Sequence, residues 1–215
     1  AATTLRFTAY GGQRQVGQYL AFSGAALTSS GGVVELDRDY GGVGLRLVRT
    51  SELGGRPLTL VVGVDTDAMR ETRQGFVNDH GSQGALRRDE DATVRGADAY
   101  AEVTWAALPA LSATLGVRTS RVRYASDDRF VTGANPDDSG ARTFRNTSPI
   151  AGVVWHAADT LNLYASYGQG FETPTFAELA YRPVGGTGLN FALQPARSRH
   201  AEVGAKARLG DAGRF

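Results

Sequence analysis

Cysteine is absent from all 215 residues, which excludes disulfide frameworks, thiolate zinc sites and cysteine nucleophiles. Lysine is almost absent too: Lys206 is the only one among 23 basic side chains, and the rest are arginine. Charge of one sign is also missing. The basic residues nearly cancel 22 acids and leave a formal +1, whereas nucleic-acid surfaces show a clustered basic excess. No nucleic-acid partner is expected. No apolar run approaches the roughly 18 residues of a spanning helix. A membrane β-barrel stays open, because its strands alternate and never build such a run. The opening Ala1-Ala2-Thr3-Thr4-Leu5-Arg6 lacks the basic and apolar regions of a secretory signal.

What the chain does have is glycine, 28 residues of it, nearly twice the roughly 7% of average proteins. It also has period-two alternation. Leu58, Leu60, Val62 and Val64 alternate with Thr59, Val61, Gly63 and Asp65. Leu111 to Val117, Leu161 to Tyr167 and Ala201 to Leu209 repeat the pattern, so each reads as a strand with one apolar and one polar face. Weaker candidates are Leu5–Tyr10, Val16–Phe22, Val43–Arg49, Tyr100–Trp105 and Ile150–Trp155. After Val117 the apolar positions change phase to Val122 and Tyr124, which predicts a bulge or the end of a buried zone. The expectation is about nine strands and almost no helix.

The connections alternate in length. Short turns are expected near Gly11–Arg14, Ser51–Arg56, Ala106–Ala110 and His156–Thr160, with another beginning at Gly210-Asp211. Between them lie long segments near Ser23–Asp39, Thr66–Asp98, Ala125–Arg145 and Gln169–Arg199. Long loops at one rim and tight turns at the other is the layout of an outer-membrane barrel. Both tryptophans, Trp105 and Trp155, stand just before a short turn in a shared V-x-W-x-A-x-x-x-L pattern. That suits an aromatic girdle or a pair of sheet corners equally well. Glu102, Arg118, Glu202, Lys206 and Arg208 share the polar faces and exclude the packed interior of a small barrel. A wide hydrated lumen and a soluble sandwich both remain open on these grounds.

From Tyr164 to Leu179 a strand ends in glycines and turns into a loop. Thr173-Pro174 offers an N-cap with proline at the first helical position, and Thr175 with Glu178 offers an alternative capping box. The segment 190–198 then leads back into a polar-faced strand. Here the chain resembles the β-barrel of TonB-dependent outer-membrane receptors. Tyr164, Ser166, Gly170, Phe171, Pro174, Thr175, Glu178 and Leu179 match that family's Y-x-S-x-x-x-G-F-x-x-P-[ST]-x-x-E-L segment. Asn190, Leu193, Pro195, Ser198, Glu202, Gly204 and Lys206 match the segment that follows it. Phe191, Ala196 and Glu172 depart from the usual residues.

The resemblance implies an all-β, antiparallel up-and-down transmembrane β-barrel segment, about nine strands of a barrel of 22. Residues 1–215 are then a partial barrel domain, with the plug domain absent and the chain a fragment. It implies a receptor for energy-dependent uptake across the Gram-negative outer membrane, with a ferric siderophore as the commonest ligand class. The implied partners are outer-membrane lipid, that small-molecule ligand, and an inner-membrane energy-coupling complex that acts through the plug. No cofactor is implied.

Candidate ligand contacts are Arg87, Arg88 and Arg129 with Tyr124 or Tyr181, since arginine chelates carboxylate and phosphate groups. His80, His156 and His200 lack metal-ligand spacing. The Asp127-Asp128 to Asp137-Asp138 loop lacks the residue order of a calcium loop. A soluble β-sheet ligand-binding module is the alternative function. A carbohydrate-active enzyme using Glu172 and Glu178 is the weakest reading.

Overall fold

The computed structural model describes residues 1–27, 29–179 and 189–208; Tyr181, Leu209 and the turn at Gly210-Asp211 lie outside the described residues. Eight strands form one antiparallel sheet in chain order: β1 (Ala2–Tyr19), β2 (Val33–Leu53), β3 (Arg56–Asp79), β4 (Ser82–Leu108), β5 (Leu111–Asp128), β6 (Gly140–Ala158), β7 (Leu161–Glu172) and β8 (Ala196–Ala207). Among the described residues one four-residue helix, α1 (Phe176–Leu179), precedes β8. The count is eight rather than nine because the two expected strands Leu5–Tyr10 and Val16–Phe22 are one. No turn occurs at Gly11–Arg14: Gly11 and Gly12 pair with Gly41 and Tyr40 inside a continuous ladder.

Those glycines are there for close approach. A Cβ on Gly12 would come within 3.0 Å of the Tyr40 ring lying over it. The same relation recurs at Gly42 under Tyr10, Gly63 under Tyr100 and Gly204 under Tyr164. In every case the glycine and tyrosine are direct register partners on neighbouring strands. An aromatic ring covering a strand glycine restores the packing that the missing side chain gives up.

The second difference lies in Thr66–Asp98, expected to be a long loop. It is a regular hairpin whose tip is His80-Gly81, both at positive φ, the geometry of a two-residue turn that follows the strand twist. From Thr66 to Asp79 β3 continues for about 45 Å of extended chain. The other long connections shrink to residues 20–32, 129–139 and 173–195. The short turns near Ser51–Arg56, Ala106–Ala110 and His156–Thr160 form as expected, the first through Gly54 and Gly55 at φ 61° and 70°. Long connections and the hairpin tip therefore share one rim, and the tight turns share the other.

Register divides the residues into two faces, because directly opposed residues point the same way. One face holds rows such as Leu5, Leu47, Val62, Ala101, Val117 and Pro149. A neighbouring row runs Leu60, Val103, Leu115, Ala151 and Tyr167. This apolar face is uncovered: Phe7 is 68% exposed, Leu115 59% and Val203 82%. Trp105 and Trp155 lie on it at the turn rim, opposite Leu58 and Leu111. The other face carries the buried charges Glu71 and Glu90 and every buried residue that the strands contribute to the loop core. Pairing runs through Val117 to Tyr124 without a shift, so no bulge accounts for the change of phase there. Apolar residues simply pass from one face to the other.

Candidate functional site

The polar face is the concave one. A cavity of about 520 Å³ opens on it, lined by residues including Asp98, Tyr100, Glu102, Arg118, Ser120 and Phe171. Alternation explains why the first five side chains converge: each occupies an even position in β4 or β5, on the face opposite Ala99, Ala101, Val117 and Thr119, while Phe171 comes from the end of β7. Arg118 Nη2 lies 2.8 Å from Asp98 Oδ2, and the Ser120 hydroxyl also donates to Asp98. Toward the loop rim a denser charge cluster follows. Glu71, only 2% exposed, accepts from Arg38 across the β2–β3 ladder. Arg88 Nε stands 2.6 Å from Glu90 Oε1. Arg73 lies among Arg38, Glu71, Arg88 and Glu90, and its Nε is buried without a hydrogen-bond partner among the described residues. Three arginines thus face two glutamates, with a donor left over for an anionic guest.

Beside this cluster the loop after β7 folds onto the concave face. Tyr124 and Phe144 of the sheet, 6% and 3% exposed, form a core with Leu179 and Leu189. Phe171, Phe176, Phe191 and Leu193 pack against it. Phe144 and Phe176 each meet the Tyr124 ring edge to face, at 5.9 and 5.4 Å. The Tyr124 hydroxyl and that of Thr173 are 2.9 Å apart. Of the two caps offered by the sequence, the structure uses the capping box. The Thr175 N–H and hydroxyl both donate to Glu178 Oε2, at 2.7 and 2.9 Å, and the Glu178 N–H donates back to Thr175 Oγ1. Those bonds hold the Glu178 carboxyl below its usual range, the backbone one contributing most. In the 129–139 loop Asp137 is lowered in the same way, first by the Ser139 hydroxyl and then by its N–H. Asp128 accepts from the N–H groups of Phe130 and Asp138, so this carboxylate shapes the loop backbone.

The motif residues acquire physical roles. Leu179 is fully buried and Pro174 is buried. The Asn190 N–H donates to the Leu179 carbonyl, tying the two halves of the motif together. Gly170 leaves room for the Ser198 side chain. Tyr164 spans β7 and β8: its ring covers Gly204, its hydroxyl donates to Glu202 at 2.7 Å, and Lys206 Nζ lies 5.4 Å from the ring centroid. Pro195 immediately precedes β8.

The predicted ligand contacts are not gathered into one place. Arg87 donates to the Ala25 carbonyl, and Arg129 lies 3.0 and 3.2 Å from Asp89 and Asp91 on the outward face. Arg88 and Tyr124 are on the concave face, the former in the charge cluster and the latter under the loop. Arg38, Glu71, Arg73 and Glu90 are the members that sequence reasoning did not single out. Their signal was spacing: 71 with 73 and 88 with 90 are i, i+2 pairs, which a strand places on one face.

An up-and-down sheet with a bare apolar outer face and a charged concave inner face is a section of transmembrane β-barrel wall. The chain belongs to the TonB-dependent receptor family: the model described as TonB dependent receptor-like, beta-barrel, matches residues 2–215. Solved structures agree on the fold. The unliganded ferric citrate transporter FecA is 16% identical with a TM-score of 0.71, over 95% of this chain and 30% of that one. The siderophore receptor PiuA from Acinetobacter baumannii is 15% identical with a TM-score of 0.72, over 97% and 36%. The copper transporter OprC is 17% identical with a TM-score of 0.66, over 97% and 33%. The chain spans about a third of the length of these structures. The family is one of transport receptors.

Proposed function

We propose that this chain forms part of the wall of an outer-membrane receptor for energy-dependent uptake, with a ferric siderophore as cargo. The observation that carries the reading is the opposition of the two faces. Apolar side chains of all eight strands are left bare on one side, which a soluble module would have to cover, while the other side gathers Arg38, Arg73 and Arg88 around two carboxylates. Iron complexes of carboxylate or catecholate siderophores carry negative charge, and guanidinium groups recognise such oxygens bidentately. The plug, and the inner-membrane complex that acts on it, belong in this reading to residues outside these 215. A glycosidase reading loses support because Glu178 is committed to its capping box.

The test is uptake by the intact receptor in cells lacking other iron receptors. Iron-loaded siderophores should restore growth under iron limitation, and dissipating the inner-membrane proton gradient should abolish uptake. Arg73→Gln should raise the half-saturating concentration about tenfold, the scale of one lost charge-assisted hydrogen bond. Growth unchanged by every siderophore tested, with the receptor present in the membrane, rejects the cargo.

A further inference from the structure

The outward face carries a cluster that ligand uptake leaves unused. Two rungs beyond Val117 and Pro149, Arg121 of β5 stands directly opposite Arg145 of β6. One rung further, Arg123 stands opposite Arg95 of β4. Direct partners have Cβ atoms about 5 Å apart and diagonal ones about 7–8 Å. The four therefore form a staggered row, in the order Arg95, Arg123, Arg121 and Arg145, across three adjacent strands. All four are exposed, and none has an ion pair or hydrogen bond with a described residue. Of the carboxylates two or three rungs above, Asp91 is held by Arg70 and Arg129 and Asp89 by Arg129, and the exposed Asp127, two rungs above Arg123, makes no ion pair with any of the four. Thr119 and Thr147 lie one rung below, and the apolar rows begin beneath them.

Like charges directly opposed across a sheet destabilise it, and here two such pairs abut with no carboxylate of the described residues in ion-pair contact with them. The geometry points to an external counter-charge: we propose that this arginine row binds the phosphate groups of lipid headgroups in the leaflet at the loop rim. This rests on reading the outward face as lipid-facing. The placement then puts guanidinium groups at the level where apolar chains give way to charged heads. Arginine suits the task because its planar fork meets phosphate oxygens bidentately. A free phosphate ion offers the same oxygens without the acyl chains that would lie along Val117 and Pro149, and those rows favour the lipid.

The experiment uses the intact receptor containing this chain, purified in neutral dodecylmaltoside micelles. Native mass spectrometry counts bound phosphatidic acid, phosphatidylcholine and inorganic phosphate in separate titrations. Phosphatidic acid should bind in preference, and added salt should weaken it. The double variant Arg121→Gln with Arg145→Gln should lose about tenfold or more in affinity, while Arg121→Lys with Arg145→Lys should keep most of it. Unchanged affinity in the glutamine variant overturns the proposal. So does equal binding of phosphatidylcholine, or displacement of phosphatidic acid by inorganic phosphate at equal concentration. Retention in carbonate-washed outer membranes is scored in parallel. A receptor that washes out refutes the membrane reading together with the lipid site, whereas one retained without a phosphatidic acid preference refutes the lipid site alone.

Discussion

Tyr124 shows how one side chain joins the sheet to its longest loop, since its ring meets Phe144 and Phe176 and its hydroxyl meets Thr173. Tyr124→Phe should cost about 1 kcal/mol, the worth of one hydrogen bond. Phe144→Ala, which opens a cavity beneath the loop, should cost about 3 kcal/mol. Denaturant titration of the intact receptor measures both, and protease sensitivity near residue 190 shows that the loop is what loosens. Glu178 adds a pH dependence with a definite sign. Its folded carboxyl is lowered, so its contribution is complete above the ordinary 4.5 and is lost as pH falls through the lower folded value. Hydrogen-exchange protection of the Thr175 amide should therefore decline in acid below 4.5, and Glu178→Gln should remove that decline.

At the scale of the strand, the two faces predict opposite tolerance for the same substitution. Val153 lies on the apolar face and is 45% exposed. Val153→Arg should destabilise the membrane-embedded barrel by about 2–4 kcal/mol. Its neighbour Gly152 points to the concave side, where an added Cβ meets nothing closer than 3.7 Å, and Gly152→Arg should cost under about 1 kcal/mol. Urea unfolding in lipid vesicles separates the two outcomes. The same faces explain what was legible in the sequence. Leu58 to Val64, Leu111 to Val117 and Leu161 to Tyr167 read as strands because one face of each is apolar. Beyond Thr66 both faces of β3 and β4 are polar, as at Arg70, Thr72 and Asp91 on one side and Glu71, Arg73 and Glu90 on the other. Alternation of hydrophobicity then has nothing to alternate, and a regular hairpin passes for a loop.

For the molecule as a whole, β1 and β8 each have a neighbour on one side only. Open strand edges template further pairing. A polypeptide of these 215 residues alone should therefore run as aggregate in detergent, without the heat-modifiable monomer band of a closed barrel. A sharp monomer peak on size-exclusion chromatography would refute this. The family was legible at the same scale, because the tandem motif ties a loop to the sheet through contacts between residues apart in sequence but fixed in order, such as Leu179 with Asn190. The charge cluster was not. Arg38 comes from β2, more than thirty residues before Glu71, and only the register of β2 on β3 brings them together.

The Gly–Tyr pairs carry a consequence for how such a wall can change over generations. Gly12 and Tyr40 are 28 positions apart in the chain, yet neither can be replaced as if it stood alone. A side chain at residue 12 collides with the ring, and loss of the ring leaves a bare glycine in a strand. Four such pairs behave as four linked characters, each free to drift only when both members move together. In a saturation library of the intact receptor, single changes at Gly12 should be purged, and survivors should reappear when Tyr40 is replaced by a smaller residue.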